Sequence, residues 1–464
     1  MSQTYAHDRL AGWIDAGVGR LGGRAVVASR RGMGYFALEV IPVAVWSQIT
    51  GAVSGEFFYF IAYLQLLGAS NSQLAYLPLT CAAAGVGQLL VVLLRRPGHA
   101  KRRCIIECWI LRSTWLGTIL WPLACLTLGL GVPAMLAGIL GCVFVTHLLA
   151  ATANAGFVSW TQAMVPPPLR GTFYAWRNIA SYLTAGLVLG VVALIFPSHA
   201  APHRQLLWLM GLMTVATLCG VASTWLLARA PDVPAAERLP TYGPLATHLS
   251  SNAPLRRFLA WSFLSAAAAG VSVVFQSVLF LSCGATPSSM ASCQALALFP
   301  CMLVAIGAAG WFLPRLHGRR MLVIAHLLTI LAETTLLALT TTRLPWLMPI
   351  VLGLFGLSKG ALSVALIGRI QELIPRGDPR IYALYGGLSS IVALLVTLKL
   401  PLMTTQLTAW AALHPTWVSS APWGMVLVGV VLRIAATPFL LTRDARPIDP
   451  QAQGADATAV LSAA

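Results

Sequence analysis

Charged side chains are scarce: they make up 9% of the 464 residues, and only 13 are acidic. Against a 58% hydrophobic content, that scarcity excludes an ordinary soluble domain, whose single core could not enclose so much apolar surface, and leaves lipid as the solvent. No Gly-rich phosphate loop of the Walker type occurs, so ATP is not expected to drive the protein directly. No Ser, His and Asp constellation or metal-ligand run qualifies as a catalytic centre, so the chain is not read as an enzyme, and neither cofactor nor metal is expected. All nine cysteines fall in or beside apolar stretches, with no paired framework that would suggest disulfides. Cys104 and Cys108 stand one helical turn apart and read as small core residues rather than metal ligands. The first 35 residues lack an apolar core followed by a small-residue cleavage site, so no cleaved signal peptide is read there. Trp13, Ile14, Val18, Leu21 and Val26 lie there among arginines, either as an interfacial helix or as a loose basic tail that fixes orientation.

What the chain has in abundance is apolar runs of roughly 20 residues, each long enough to cross a bilayer as a helix. About twelve are expected, near 37–67, 73–94, 104–128, 132–160, 172–196 and 205–228, then 258–282, 289–313, 321–342, 346–369, 380–400 and 421–442. The fold class is therefore an all-α polytopic membrane protein of two pseudo-symmetric six-helix bundles. Its parts are a basic segment over 1–36, a first bundle over 37–228, a linker over 229–257, a second bundle over 258–442 and a tail over 443–464. A formal charge of +17 invites a nucleic-acid reading, but the basic residues alternate with the loops. Arg30 and Arg31 precede the first span, Arg95 to Arg103 follow the second, and Arg256 and Arg257 lie between the halves, whereas the opposite loops hold little beyond Arg204 and Arg343. That is the pattern of a protein oriented in the inner membrane with both termini cytoplasmic, and no nucleic-acid partner is expected.

The two halves also repeat. Gln162-Ala-Met-Val-Pro166 recurs as Gln371-Glu-Leu-Ile-Pro375, Leu67-Gly68-Ala69-Ser70 as Cys283-Gly284-Ala285-Thr286, and Lys101-Arg102-Arg103 as Gly318-Arg319-Arg320. Duplicated six-helix halves are a recurring plan among transporter folds. With the stretch Trp160 to Arg177 and the loop Gly310-Trp-Phe-Leu-Pro-Arg315-Leu-His-Gly318-Arg319-Arg320, these residues resemble the major facilitator superfamily over nearly the whole chain. The loop is similar to that family's Gly-x-x-x-Asp-Arg-x-Gly-Arg-Arg signature, with Pro314 where the acidic residue would be. The resemblance implies two bundles around a central cavity lined by spans one, four, seven and ten and open alternately to each side. It also implies a cytoplasmic gate held by charges, with Arg102, Arg103, Arg170, Arg177, Arg319 and Arg320 as candidates.

Polar groups in hydrocarbon are costly unless they face protein or water, which singles out the candidates for the site. Glu56 falls near mid-membrane. At 100° per residue it shares a stripe with Gln48, Gly55, Tyr59 and Tyr63, and it reads as a substrate-contacting or proton-carrying carboxylate, or as a Glu bonded inside a helix contact. His147, Asn154 and Thr161 share a face of span four, and Ser265, Ser272 and Gln276 a face of span seven. Each set is a substrate contact or a helix-packing feature. Glu333 and Lys359 are expected to meet as a charge pair between spans nine and ten, with Lys359 also placed to attract an anion. Arg112 and Arg433 are expected to snorkel toward the cytoplasm as structural charges. Trp121, Trp346 and Trp423 read as interfacial belts. The expected function is a secondary active transporter moving a small organic solute by alternating access. Proton-coupled efflux leads, coupling to another ion stays open, and the alternatives are uptake of an organic anion or a non-transporting scaffold or receptor that keeps the fold.

Overall fold

A computed structural model of the chain describes residues 24–51, 58–94, 100–165, 170–197, 200–231, 252–342, 346–373, 379–413 and 420–442. The elements are α1 (Arg24–Thr50), α2 (Phe58–Leu66), α3 (Asn71–Leu74), α4 (Tyr76–Leu94), α5 (Ala100–Thr114), α6 (Gly117–Thr127), α7 (Val132–Met164), α8 (Arg170–Ile195) and α9 (Pro202–Arg229) in the first half. In the second half come α10 (Ala253–Ser282), α11 (Pro287–Cys293), a π-helical turn at Gln294–Leu298, α12 (Phe299–Thr342), α13 (Leu347–Leu373), α14 (Pro379–Thr397), α15 (Leu400–Leu413) and α16 (Ala421–Leu441). Among the described residues there is no strand. Lipid offers no partner for backbone N–H and C=O groups, and the helix satisfies them within one segment.

The chain is an all-helical polytopic membrane protein. Among the described residues, nine stretches are long and apolar enough to cross a bilayer, from Val132–Asn154 through Ala421–Leu441, and they coincide with expected spans four to twelve. The first and third passes are interrupted. Gly51, at φ +69°, closes α1, and the third pass is divided into α5 and α6 around Trp115 and Leu116. The surfaces bear the same stamp: Leu126 on α6, Leu187 on α8 and Leu207 on α9 are each more than 60% exposed, which only a hydrocarbon surround tolerates in such numbers.

The repeat is built into the backbone. Gly68 and Gly284 take left-handed φ of +90° and +83°, which glycine adopts without strain. In each copy the N–H of the following alanine reaches back five residues, Ala69 to Leu64 O and Ala285 to Phe280 O, both within 3.1 Å. A capping box then opens the next helix, Ser70 with Gln73 and Thr286 with Ser289. The short motif therefore carries one helix end, one turn and one helix start in both halves.

One expectation fails. The stretch 310–320, read as a loop, is helical, and lies within α12, which extends from Phe299 to Thr342. Its two ends still belong to separate passes. Gly360 of α13 lies against Met302, while Ser358, two residues away, donates to Ala325 O. Met302 and Ala325 would be about 35 Å apart on a straight helix, so the run folds back on itself between them.

The halves meet along two seams. In one, α4 crosses α14 so closely that a Cβ on Gly85 would overlap the Ser390 hydroxyl, and one on Gly387 would overlap Leu89. In the other, Ser288 Oγ at the start of α11 donates to Ala193 O at the end of α8 (2.7 Å), and Tyr182 of α8 lies 6.3 Å from the Phe299 ring of α12.

Candidate functional site

Each half is tied through its middle by one carboxylate. In the first, Glu39 of α1 accepts from Arg112 of α5 (Nη2 to Oε1, 3.5 Å) and from Arg177 of α8 (Nη2 to Oε2, 2.9 Å). Arg112 Nη1 also donates to Gly220 O (2.9 Å) and Thr224 Oγ1 (2.6 Å) on α9. Both guanidiniums lie over rings, Arg112 5.6 Å from Trp46 and Arg177 4.6 Å from Phe157. In the second half, Glu333 of α12 is fully buried and accepts from Ser272 Oγ (3.0 Å), Gln276 Nε2 (2.9 Å) and Arg433 Nε (2.9 Å).

The two junctions occupy corresponding places. Thr224 and Arg433 are 209 residues apart, as are Gly220 and Gly429, the same spacing as the Gln162 and Gln371 repeat. Both glycines admit a side chain from the first helix of their own half: a Cβ would stand 2.8 Å from Trp46 Cδ1 at Gly220 and 2.7 Å from Ser272 Cβ at Gly429. The charges have traded places. The acid is on the first helix and a base on the third pass in the first half, whereas the acid is on the third pass and the base on the last in the second. A second polar layer lies beside the latter junction, where Trp261 Nε1 donates to His326 Nδ1 (3.3 Å) and His326 Nε2 meets Arg433 O (2.9 Å). With Nδ1 accepting from the indole, Nε2 carries the proton and donates.

These junctions correct three expectations. Glu333 pairs with Arg433 of α16, not with Lys359: Ser272, Gln276 and Arg433 fill its oxygens, and Lys359 Nζ lies 5.9 Å from the Phe355 ring one turn away. Arg112 does not snorkel, because its side chain is 5% exposed and its donors turn inward to Glu39 and α9. Arg433 likewise turns its Nε to Glu333, with an 11% exposed side chain. The sequence reading missed Glu39 by placing it at the edge of the first span. The helix begins at Arg24, so Glu39 lies fifteen residues inside it, and an acid within an apolar run next to a distant pair of intramembrane arginines was the available signal.

A different set of polar groups is buried with nothing to bond. Besides the indole N–H groups of Trp46 and Trp115, Gln48 Nε2 on α1, Tyr59 OH on α2, Ser265 Oγ on α10 and Gln294 Oε1 in the π-helical turn have no hydrogen-bond partner among the described residues. Leaving such a group dry costs about 1–3 kcal/mol, so four of them in one molecule call for water or a ligand. Gln294 joins the halves, because its turn packs on both α8 and α13, and π-helical insertions recur at functional sites.

No family profile matches the chain, and no curated protein sequence matches it. Solved structures do. A D-xylose-proton symporter superposes with a TM-score of 0.63 at 13% identity, over 90% of this chain and 98% of that one. The nucleoside transporter NupG, as a point mutant, gives 0.59 at 13% identity over 87% and 100%. A bacterial homologue of the iron transporter ferroportin, in an outward-facing state, gives 0.56 at 14% identity over 88% and 98%. The chain has the major facilitator fold.

Within that fold the remaining sequence candidates are scattered. Glu56 lies outside the described residues, as does the side chain of Arg170. Because α1 ends at Gly51, the stripe projected from Gln48 to Tyr63 on one continuous helix does not hold. Tyr63 instead turns to the third pass and donates to Thr118 O (2.9 Å), apart from the unbonded Tyr59. On α7, His147 is half-buried, Asn154 exposed, and Thr161 buried with its hydroxyl on Phe157 O. Of the basic candidates, Arg102, Arg103 and Arg320 are exposed, while Arg319 Nη1 donates to Thr442 O (2.8 Å).

Proposed function

We propose that the protein is a secondary active transporter that moves a small organic solute across the inner membrane by alternating access. The observation that carries this is the unbonded set Gln48, Tyr59, Ser265 and Gln294, split between the two halves. A static scaffold gains nothing from four dry polar groups, whereas a pathway supplies their partners when solute and water pass. The solved structures that share the fold are by their names a nucleoside transporter, a homologue of an iron transporter and a D-xylose-proton symporter, which supports transport and leaves the cargo to be measured. Glu56 is the proposed proton carrier. Glu39 and Glu333, at the centres of the two halves, are engaged by arginines that brace the helices.

The test is flux into proteoliposomes with and without an imposed pH gradient, across nucleosides, pentoses and organic anions. Solute flux above protein-free vesicles supports transport. Accumulation of an organic anion would assign Lys359 as its attractor, and no flux of any solute in either direction would leave the scaffold reading. Glu56→Gln is expected to abolish pH-driven accumulation while sparing solute exchange; unchanged accumulation would remove Glu56 from coupling.

A further inference from the structure

In the first half, α8 and α9 both pack on α1 but draw apart from each other. Between them runs a groove of about 720 Å³, floored by Val45 and Ile49 of α1 and walled by α8 and α9. That volume lies within the roughly 300–1,000 Å³ of small-molecule sites. All its lining side chains are apolar apart from the indole N–H of Trp208. It opens sideways where Leu187, Val191, Leu207 and Val215 are at least half exposed, which in a membrane-spanning chain means toward the hydrocarbon.

Its upper end differs. On α9 the groove is lined by Trp208, Gly211 and Val215, and helical geometry puts Arg204 on that same stripe, one turn beyond Trp208. Arg204 and the neighbouring His203 are exposed, and the Arg204 side chain makes no hydrogen bond or ion pair among the described residues. Arg204 is also one of the few basic residues on the side of the membrane that the sequence otherwise keeps free of them, so orientation does not explain it. An unpaired guanidinium, an indole at the rim and a dry apolar channel beneath them match, in order, a phosphate, the ester region and an acyl chain. Gly211 leaves the channel open, since a Cβ there would meet no atom within 4 Å.

We infer that the groove between α8 and α9 is a specific phospholipid site, with one acyl chain on the α1 floor and the phosphate held by Arg204. The opposite face of α8 forms a seam between the halves through Ala193 and Gly186, so the occupant sits behind a helix of the interface between the halves. The site rests on the membrane-spanning fold and is independent of what the protein carries.

The test uses the full-length protein in nanodiscs with two probes that share a diazirine-bearing acyl chain, phosphatidylglycerol and uncharged diacylglycerol. Photolabelling is mapped by peptide mass spectrometry, and the exposed Leu120 and Leu126 face of α6 serves as the measure of bulk lipid contact. Phosphatidylglycerol is expected to label the α8 and α9 walls well above α6. Arg204→Gln should lower that label about fivefold, the worth of one basic residue at an anionic headgroup, and leave diacylglycerol unchanged. Gly211→Phe, which fills open space, should remove both labels while size-exclusion behaviour stays that of the parent. Labelling of the walls equal to α6, or labelling indifferent to both substitutions, would overturn the site. Cross-linking of two copies through a cysteine at 211 would overturn it in favour of a self-association face.

Discussion

Removing Arg433 should damage the protein more than removing Arg433 and the charge of Glu333 together. In the Arg433→Met variant the Glu333 carboxylate stays fully buried and keeps only the neutral donors Ser272 Oγ and Gln276 Nε2. Stranding a buried charge by deleting its partner costs about 3–5 kcal/mol. For a folding unit of 150–250 residues each kcal/mol moves the melting midpoint by roughly 2–4 °C, so a fall of about 6–20 °C is expected. Adding Glu333→Gln removes the charge while its amide oxygen still accepts from Ser272 and Gln276, and the double variant should regain at least half of the loss. The assay is the temperature dependence of the monodisperse peak in fluorescence-detected size exclusion, with a fluorescent protein fused to the C-terminus. A double variant as unstable as Arg433→Met, or a single variant within about 2 °C of the parent, would refute the uncompensated-charge reasoning.

Glu39→Gln should destabilise the first half more than Arg177→Met, since it strands both Arg112 and Arg177, and the same thermal assay reads the order. Gly429→Leu should lower expression and peak monodispersity because its Cβ would stand 2.7 Å from Ser272 Cβ; Gly190→Leu, facing open space, should behave like the parent. Gln48→Leu is expected to raise thermal stability by about 1 kcal/mol, the relief of a dry amide, while lowering flux; loss of stability would mean that the amide is bonded in the folded protein. Cysteine labelling in intact cells should reach position 70 from outside and not position 235, and the reverse would invert the proposed orientation.

The sequence alone determined the solvent and the plan. Lipid is dictated by the run length and scarcity of charge, and the duplicated halves by motifs whose Gly68 and Gly284 backbones are the same turn. These are local properties, set by residues adjacent in the chain. The partners of the buried charges were not local. Glu39 meets Arg177 across 138 positions and Glu333 meets Arg433 across 100, and helical spacing within one span says nothing about which neighbour faces it. Sequence adjacency suggested Lys359 as the partner of Glu333, because consecutive spans touch; packing gave the place to α16, since Gly429 lets that helix close on Ser272. The stripe on the first span failed for the same kind of reason, as a left-handed Gly51 ends the helix on which the projection depended. Only the tertiary structure could decide which polar groups pair and which stay unbonded, because that depends on the distances between helices and not on the order along any one of them.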